Sequence, residues 1–190
     1  MVEVTLALTP VRDRILEAAE RVVSQVGAAR LTLDLVAQAA GVSKGGLLYH
    51  FPTKESLLGG LAQRYVDHQQ QCVDAARCEL HEHESGRELK ACILGLLGDD
   101  PRSKTMGAAL LAAAANDPAL LEVIRETVER STQQLVCPQI HFARAVVVLL
   151  AVEGLKIREW LRISCLSDQQ RAQVVEELLK MAEEAFAGRG

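Results

Sequence analysis

Apolar residues recur along the chain at helical spacing, and proline, glycine and short polar turns interrupt them. After Pro10 they repeat every three or four positions as far as Gly27, which predicts a first helix. The same spacing predicts short helices from Thr32 to Gly41 and from Ser43 to Phe51, because Thr and Ser are good N-caps. A longer helix is expected from Thr53 into the seventies. No segment shows the strict alternation of a strand, so we expect an all-α fold.

The second half of the chain continues this pattern. A polar turn near 81–86 is followed by helical segments at roughly 87–97, 102–115, 118–136, 138–163 and 168–187, giving about nine helices in all. Residues 143–152 are apolar nearly all round, which predicts a central helix or a subunit interface. The last helix instead carries one apolar stripe formed by Val174, Val175, Leu178, Leu179 and Ala182.

Composition and charge exclude several classes of protein. The net charge of −4 argues against a strongly basic nucleic-acid binder, although residues 1–60 alone carry balanced charge. The longest uncharged apolar runs are far shorter than the ~20 residues that a membrane-spanning helix requires. The N-terminus shows no basic secretory leader, and the five cysteines contain no Cys-x-x-Cys pair. We therefore expect a cytoplasmic protein with no cofactor.

Residues 32–54, TLDLVAQAAGVSKGGLLYHFPTK, carry the most informative pattern. Two short helices joined by a tight turn at Gly41 describe a helix-turn-helix. The second helix presents an outward face on which Lys44 is placed to reach guanine in the major groove. Gly45 and Gly46 leave its backbone bare, so it can lie close to another surface. The other polar groups are suited to phosphate, and the candidate DNA-contacting set is Thr32, Ser43, Lys44, Gly45, Gly46, Tyr49, His50 and Lys54.

This segment resembles the DNA-binding domain of the TetR (tetracycline-repressor) family of bacterial transcription regulators. The resemblance spans about residues 11–60 and rests on Ile15, Ala18-Ala19, Thr32, Val36-Ala37, Ala40-Gly41-Val42-Ser43, Gly45, Leu47, His50-Phe51, Lys54-Glu55 and Leu57-Leu58. Two positions depart from the common pattern. Gly46 replaces the usual Thr or Ser, and Leu48 replaces the usual Tyr, with Tyr49 following one position later. The phenol is thereby moved about 100° round the helix.

The resemblance implies a helix-turn-helix domain at 1–58 and a helical ligand-sensing and dimerisation domain at 59–190. It also implies a homodimer that binds double-stranded, palindromic operator DNA as a repressor and is released by a small-molecule inducer. Within that frame the candidate interface residues are Val147, Leu150, Val175, Leu178 and Leu179. The candidate pocket residues are Met106, Leu110, Phe142 and Trp160, and their aliphatic setting favours a small, largely apolar ligand.

Two other patterns keep a different class open, namely a helical enzyme or metal-binding module with an incidental helix-turn-helix. Residues 41–45 spell G-x-S-x-G, but the hydrolase elbow needs a strand before the serine and here a helix is predicted. A Cys/His-rich stretch at 68–83 offers soft and imidazole ligands without the spacing of a zinc finger. The alternative without a metal is that this stretch is simply a solvated helix end and loop. The sequence does not identify the inducer, the operator or the regulated genes.

Overall fold

A computed structural model describes residues 10–115, 118–134 and 140–187. Within them the chain is all-helical, with a single 3-10 turn at Ala28–Arg30. The nine helices are α1 (Val11–Val26), α2 (Leu33–Ala40), α3 (Lys44–His50), α4 (Lys54–Glu79), α5 (Arg87–Leu97), α6 (Pro101–Ala114), α7 (Pro118–Gln134), α8 (Phe142–Trp160) and α9 (Asp168–Ala187). The all-α prediction is thus confirmed. Three parts of the sequence prediction lie outside the described residues: positions 1–9, the end of one predicted helix at 135–136, and the start of the next at 138–139. Cys137 lies outside them as well.

The first short helices begin where the sequence places a hydroxyl. The side chains of Thr32 and Ser43 accept hydrogen bonds from the first turns of α2 and α3. Thr53 and Ser56 form a reciprocal capping box at the start of α4. Gly41 ends α2 in the left-handed region, at φ 63°, where glycine carries no steric cost. The local turn chemistry of the helix-turn-helix therefore follows directly from its residue types.

Two hydrophobic clusters organise the chain. The first joins α1–α3 and the start of α4, and it extends to Met106 and Leu110 of α6 and Leu120 of α7. The second cluster lies between α5, α8 and α9 and is built around Ile93, Val148 and Val152. Because α4 runs beside both α1 and α5, it connects the two halves of the molecule. Movement of α4 therefore cannot be confined to one half.

Helix α8 packs against its own chain on one side only, and it ends earlier than predicted. Val148 and Val152 are fully buried, but Val147 and Leu150 on the opposite side are 51% and 61% exposed. Within a single chain, the apolar residues of α8 are therefore buried on one side of the helix and exposed on the other. The helix also ends at Trp160 rather than near 163, because Arg162 adopts φ 55° and the chain turns back, with the amide of Ile163 bonded to the carbonyl of Arg158.

Among the helices described, none combines the length and the apolar character that crossing a bilayer demands.

Candidate functional site

Helix α3 presents a polar and aromatic face to solvent. Leu47 is fully buried and anchors α3 against the first cluster, so the residues on the other side of the helix point outward. Tyr49 is 84% exposed, and its ring meets the imidazole of His50 edge-on at 5.1 Å. A large aromatic residue with so little burial contributes little to the fold. This makes the outer face of α3 the candidate contact surface.

The two lysines of this face are held differently. Lys44 Nζ lies 2.9 Å from an Asp34 carboxylate oxygen, and both side chains are well exposed. An exposed pair of this kind is worth at most ~1 kcal/mol, so Lys44 exchanges partners easily. Lys54 is partly buried, and its Nζ donates to the carbonyl of Ala29 at 3.1 Å. Contact of Lys54 with a phosphate therefore requires release from, or sharing with, that carbonyl.

The hydroxyls of Thr32 and Ser43 serve as helix caps and are still able to donate. Each oxygen accepts from a backbone amide, Thr32 from Leu35 at 3.3 Å and Ser43 from Gly46 at 3.1 Å. Since a hydroxyl has one hydrogen in addition to its acceptor lone pairs, both caps retain a donor for a phosphate oxygen. The cap geometry and the predicted DNA contact are therefore compatible.

The two glycines of α3 are not equivalent. A Cβ added at Gly45 would meet nothing within 4 Å, whereas one at Gly46 would lie 3.2 Å from the Ser43 hydroxyl. Gly45 thus exposes bare backbone at the start of α3. Two apolar side chains that were not among the predicted DNA contacts, Leu35 and Leu48, are exposed beside this face. Their helical phase relative to buried Val36 and Leu47 was the available clue, and such groups suit contact with thymine methyls.

A first cleft, of about 560 Å³, separates α1 from α4 and α6. Its lining is mainly polar, formed by Glu20, Ser24, Arg64, Tyr65, Asp67, His68, Gln71, Asp100, Arg102, Ser103 and Met106. Glu20 binds Arg64 Nε and Arg102 Nη2, both at 2.8 Å, so one carboxylate of α1 joins α4 to α6. His68 and Asp100 make a second link of 2.6 Å across the same cleft.

The four predicted pocket residues do not share one site. Met106 lines the first cleft, Leu110 is buried in the first cluster, and Trp160 packs against Gly107 and Tyr65. Phe142 is 46% exposed at the opposite end of α8. Eighteen residues of helix separate it from Trp160, or ~27 Å. Phe142 therefore cannot line a pocket with Trp160, and the expected aliphatic lining is replaced by a polar one.

A second cleft, of about 470 Å³, lies between α4 and α5. It is lined by Gln69, Cys72, Ala75, Ala76, Glu79, Leu94, Gly95, Leu96, Gly98, Asp99, Asp100 and Ser103. Asp100 and Ser103 border both clefts, and the links from His68 to Asp100 and from Gln69 to Ser103 lie between them. The two clefts are therefore separated by hydrogen-bonded side chains rather than by packed backbone.

The structure gives little support to either alternative, a metal site at the Cys/His-rich stretch or a hydrolase nucleophile at Ser43. Cys72 Sγ lies 3.8 Å from His68 Nε2, yet within the described ranges no three Cys, His, Asp or Glu side chains converge in a way that suits a metal ion. Burial raises the pKa of the Cys72 thiol. Ser43 sits between two helices and caps the second one, so its surroundings differ from a hydrolase elbow.

The predicted interface residues fall into two groups. Val147 and Leu150 are exposed on α8, while Val175 and Leu179 of α9 are only partly exposed and pack on the second cluster. Leu178 is 4% exposed, so it belongs to the core of its own chain and has no surface to offer a partner. The stripe on α9 thus packs inward against α5 and α8 through four of its five residues, while Val174 is exposed.

Comparison with known proteins agrees with this organisation. Residues 15–61 match the family model described as bacterial regulatory proteins, tetR family, and residues 86–183 match the tetracyclin repressor-like C-terminal domain. The two matches together cover most of both halves of the molecule.

Three solved structures illustrate the likeness. A TetR-family member from Streptomyces coelicolor A3 is 27% identical with a TM-score of 0.70, over 90% of this chain and 98% of that one. A transcriptional regulator from Rhodococcus sp. Rha1 is 25% identical with a TM-score of 0.71, over 93% and 96%. The multidrug binding protein EbrR, complexed with malachite green, is 27% identical with a TM-score of 0.66, over 90% and 96%. The chain belongs to the TetR family of DNA-binding transcriptional regulators, which are not enzymes, and carries its ligand-binding C-terminal domain.

Proposed function

We propose that this regulator is a cytoplasmic homodimeric repressor that binds a palindromic operator and leaves it when a small organic molecule binds beside α4. The observation that carries the proposal is that one chain exposes two separate surfaces of different character. One is the polar face of α3, with Tyr49 almost fully exposed, and the other is the apolar outer side of α8. The first suits DNA and the second suits a copy of the same chain.

Recognition of DNA is assigned to the outer face of α3. Lys44, held only by an exposed ion pair, is placed to donate to guanine O6 or N7. The bare backbone at Gly45 permits close approach to the groove. Tyr49, His50 and the capping hydroxyls of Thr32 and Ser43 supply donors to phosphate on either side. Asp34 would lose Lys44 to the DNA in this arrangement.

Dimerisation is assigned to the outer side of α8. Its exposed apolar and small residues are spaced alternately four and three apart, a heptad pattern, at Ala143, Val147, Leu150, Gly154, Ile157 and Leu161. A Cβ at Gly154 would meet nothing within 4 Å, so a second helix can approach closely there. One short recognition helix specifies too few base pairs for a genomic site, which is why two copies are needed.

Release is assigned to tilting of α4. This helix spans 26 residues, or ~39 Å, and lines both clefts. Gln69 lies about 22 Å along it from Lys54, so a tilt of ~5° about Gln69 displaces the end next to α3 by ~2 Å. Since half-sites repeat at about 34 Å on DNA, an error of this size in each protomer weakens binding. The complexes of EbrR with malachite green and ethidium support a small organic effector.

The proposal is tested with DNA flanking the gene for this protein. We expect salt-dependent, sequence-specific binding by the dimer in fluorescence anisotropy, and competition by a palindromic fragment but not by a scrambled one. Malachite green and ethidium serve as first probes of release, with heat-unfolded protein as the control for dye binding to DNA. Binding of equal strength to the scrambled fragment, or a stable monomer at micromolar concentration, contradicts the proposal.

A further inference from the structure

Four polar side chains meet where α4, α6 and α8 pack together. Gln69 of α4 lies at the centre, because its amide nitrogen donates to the Ser103 hydroxyl and its amide oxygen accepts from Lys156 Nζ, both at 2.7 Å. Tyr65 lies one turn earlier on α4, with its ring edge-on to Trp160 at 6.0 Å. Gln69 and Ser103 also form part of the wall of the second cleft. The other members of the group are therefore separated from the second cleft only by the side chains of Gln69 and Ser103.

The positive charge of Lys156 has no carboxylate to balance it. Within the described part of the chain no acidic oxygen lies within 4 Å of its Nζ; its contacts are the neutral amide of Gln69 and the face of Trp160, 5.1 Å away. Burial lowers the pKa of Lys156 to about 8, and Glu153 counters this only in part. Cations that are largely withdrawn from water are normally paired in proteins, because an unpaired one loses hydration without an attraction to replace it.

Tyr65, which lines the first cleft on the other side of the Gln69–Ser103 link, adds a donor without an acceptor among the described residues. Its hydroxyl is buried and makes no hydrogen bond of normal geometry to any described residue. Burial raises the pKa of Tyr65 to about 12, and the nearby Ser103 hydroxyl offsets only part of that rise. Among the described residues, a hydroxyl without an acceptor and a cation whose hydrogen-bond acceptor is a neutral amide thus flank Trp160. A ligand that brings an acceptor oxygen and a negative charge would satisfy both.

The acidic residues of the same cleft do not reverse this preference. Asp99 is paired with Lys104 at 2.8 Å. Asp100 is bonded to His68 and caps the first turn of α6. Glu79 is exposed, so water already solvates it. The unbalanced charge nearest the cleft is therefore that of Lys156, which lies behind the lining residue Gln69.

We propose that the second cleft binds an organic carboxylate, whose carboxyl group displaces the Gln69 amide and accepts from Lys156, Ser103 and Tyr65. The apolar remainder of the ligand packs against Ala75, Ala76 and Leu94, which line the same cleft. This assignment rests on the proposed function and names the effector class of its sensor domain. It also supplies the first step of release, because moving Gln69 breaks its bond to Ser103 and loosens α4 from α6.

The test uses phenylacetate and 4-phenylbutyrate as probes, each matched with its uncharged amide. Trp160 is the only tryptophan and touches Lys156, so its fluorescence reports occupancy of the site. We expect at least one acid to bind the full-length dimer at least tenfold more tightly than its amide. Equal affinity for acid and amide, or no binding of either acid at millimolar concentration, would overturn the assignment.

If the assignment holds, two substitutions of Gln69 change the affinity for the acid in opposite directions. Lys156→Met and Gln69→Glu are expected to weaken binding of the acid at least tenfold, the first by removing the cation and the second by supplying an internal carboxylate. Gln69→Ala is expected to strengthen it, because Lys156 then lacks its amide partner. A purely structural role for Lys156 predicts no such reversal between Gln69→Glu and Gln69→Ala, and finding none overturns the proposal.

Failure of this inference is separable from failure of the proposed function. Probe binding is measured without DNA, and operator binding is measured on the same samples without probe. Protein that binds its operator but ignores both acids refutes the carboxylate site alone. Protein that binds the acids but no specific DNA refutes the repressor proposal.

Discussion

Alanine substitutions at three helical glycines distinguish an effect on stability from an effect on DNA binding. A Cβ added at Gly45, Gly59 or Gly154 would meet nothing within 4 Å, and each residue lies within a helix. Alanine is therefore accommodated at all three positions without any movement of neighbours. Only Gly45 lies on the proposed DNA-contacting face, since Gly59 is in α4 and Gly154 is on the outer side of α8.

The stability change follows from helix propensity. Replacing glycine by alanine within a helix stabilises it by about 0.5–1 kcal/mol, because the unfolded chain loses less conformational freedom on folding. For a chain of this size that corresponds to a rise in Tm of ~1–4 °C. Gly45 lies in the first turn of α3, so we expect its gain at the lower end.

Loss of a DNA contact is expected at Gly45 and not at Gly59, whereas a methyl group at Gly154 would instead stand in the proposed α8 interface. At Gly45 the added methyl group stands between the α3 backbone and the DNA, and loss of a close groove contact costs ~1–3 kcal/mol, or about 5- to 150-fold in operator affinity. Gly59→Ala is the matched control, with the same chemical change, the same open surroundings and no proposed contact. Thermal unfolding followed by circular dichroism and operator binding followed by anisotropy measure the two effects on the same samples.

One outcome refutes the reasoning directly. If Gly45→Ala raises Tm and leaves operator affinity and sequence preference unchanged, the α3 backbone does not approach the DNA. An equal loss of affinity in Gly59→Ala also contradicts the account, because the effect would then not be local to α3.

Other predictions follow from the remaining surfaces and from Lys156. Leu150→Asp should give monomers in sedimentation while Gln133→Asp, on exposed α7, should not; a dimeric Leu150→Asp protein contradicts the α8 interface. Lys44→Ala should relax sequence discrimination at one base step, at a cost of ~1–3 kcal/mol in binding free energy. Lys54→Ala should weaken binding to all sequences alike and reduce the slope of log affinity against log salt concentration by about one. Identical effects of the two variants would contradict the assignment of Lys44 to a base and Lys54 to a phosphate. Folding lowers the pKa of Lys156 from its ordinary 10.5 to about 8. Between pH 8 and 10.5 the unfolded chain therefore keeps a proton on Lys156 that the folded chain has lost, so the free energy of unfolding rises with pH in this range. Lys156→Met should therefore have a higher Tm than wild type near pH 7, a difference that shrinks towards pH 10, and a constant difference counts against the buried charge.

The DNA-reading half of the fold could be predicted because its determinants are local. Thr32, Ser43 and Thr53 cap the helices that the sequence assigns to them, and Gly41 takes the left-handed turn. Each of these features depends on residues within four positions along the chain. The outward direction of Tyr49 follows from the helical phase of buried Leu47, because two positions correspond to about 200° of rotation.

The ligand site could not be predicted because it depends on how distant helices meet. Phe142 and Trp160 are both aromatic residues of α8, yet they lie at its opposite ends. Lys156 is an ordinary charged residue in the sequence, and only the approach of Gln69, 87 positions earlier, reveals its burial. Leu178 belongs to a stripe that suits an interface equally well, but contact with α5 and α8 covers it within its own chain.

Selection of bound fragments from random-sequence DNA by the purified full-length protein is the most direct test of the central claim. The account predicts enrichment of a palindrome whose half-sites are separated by about one helical turn or more. Gly59→Ala should retain that enrichment and Gly45→Ala should lose it. A pool in which the wild-type protein enriches no sequence over the input would contradict the claim that this chain is a sequence-specific repressor.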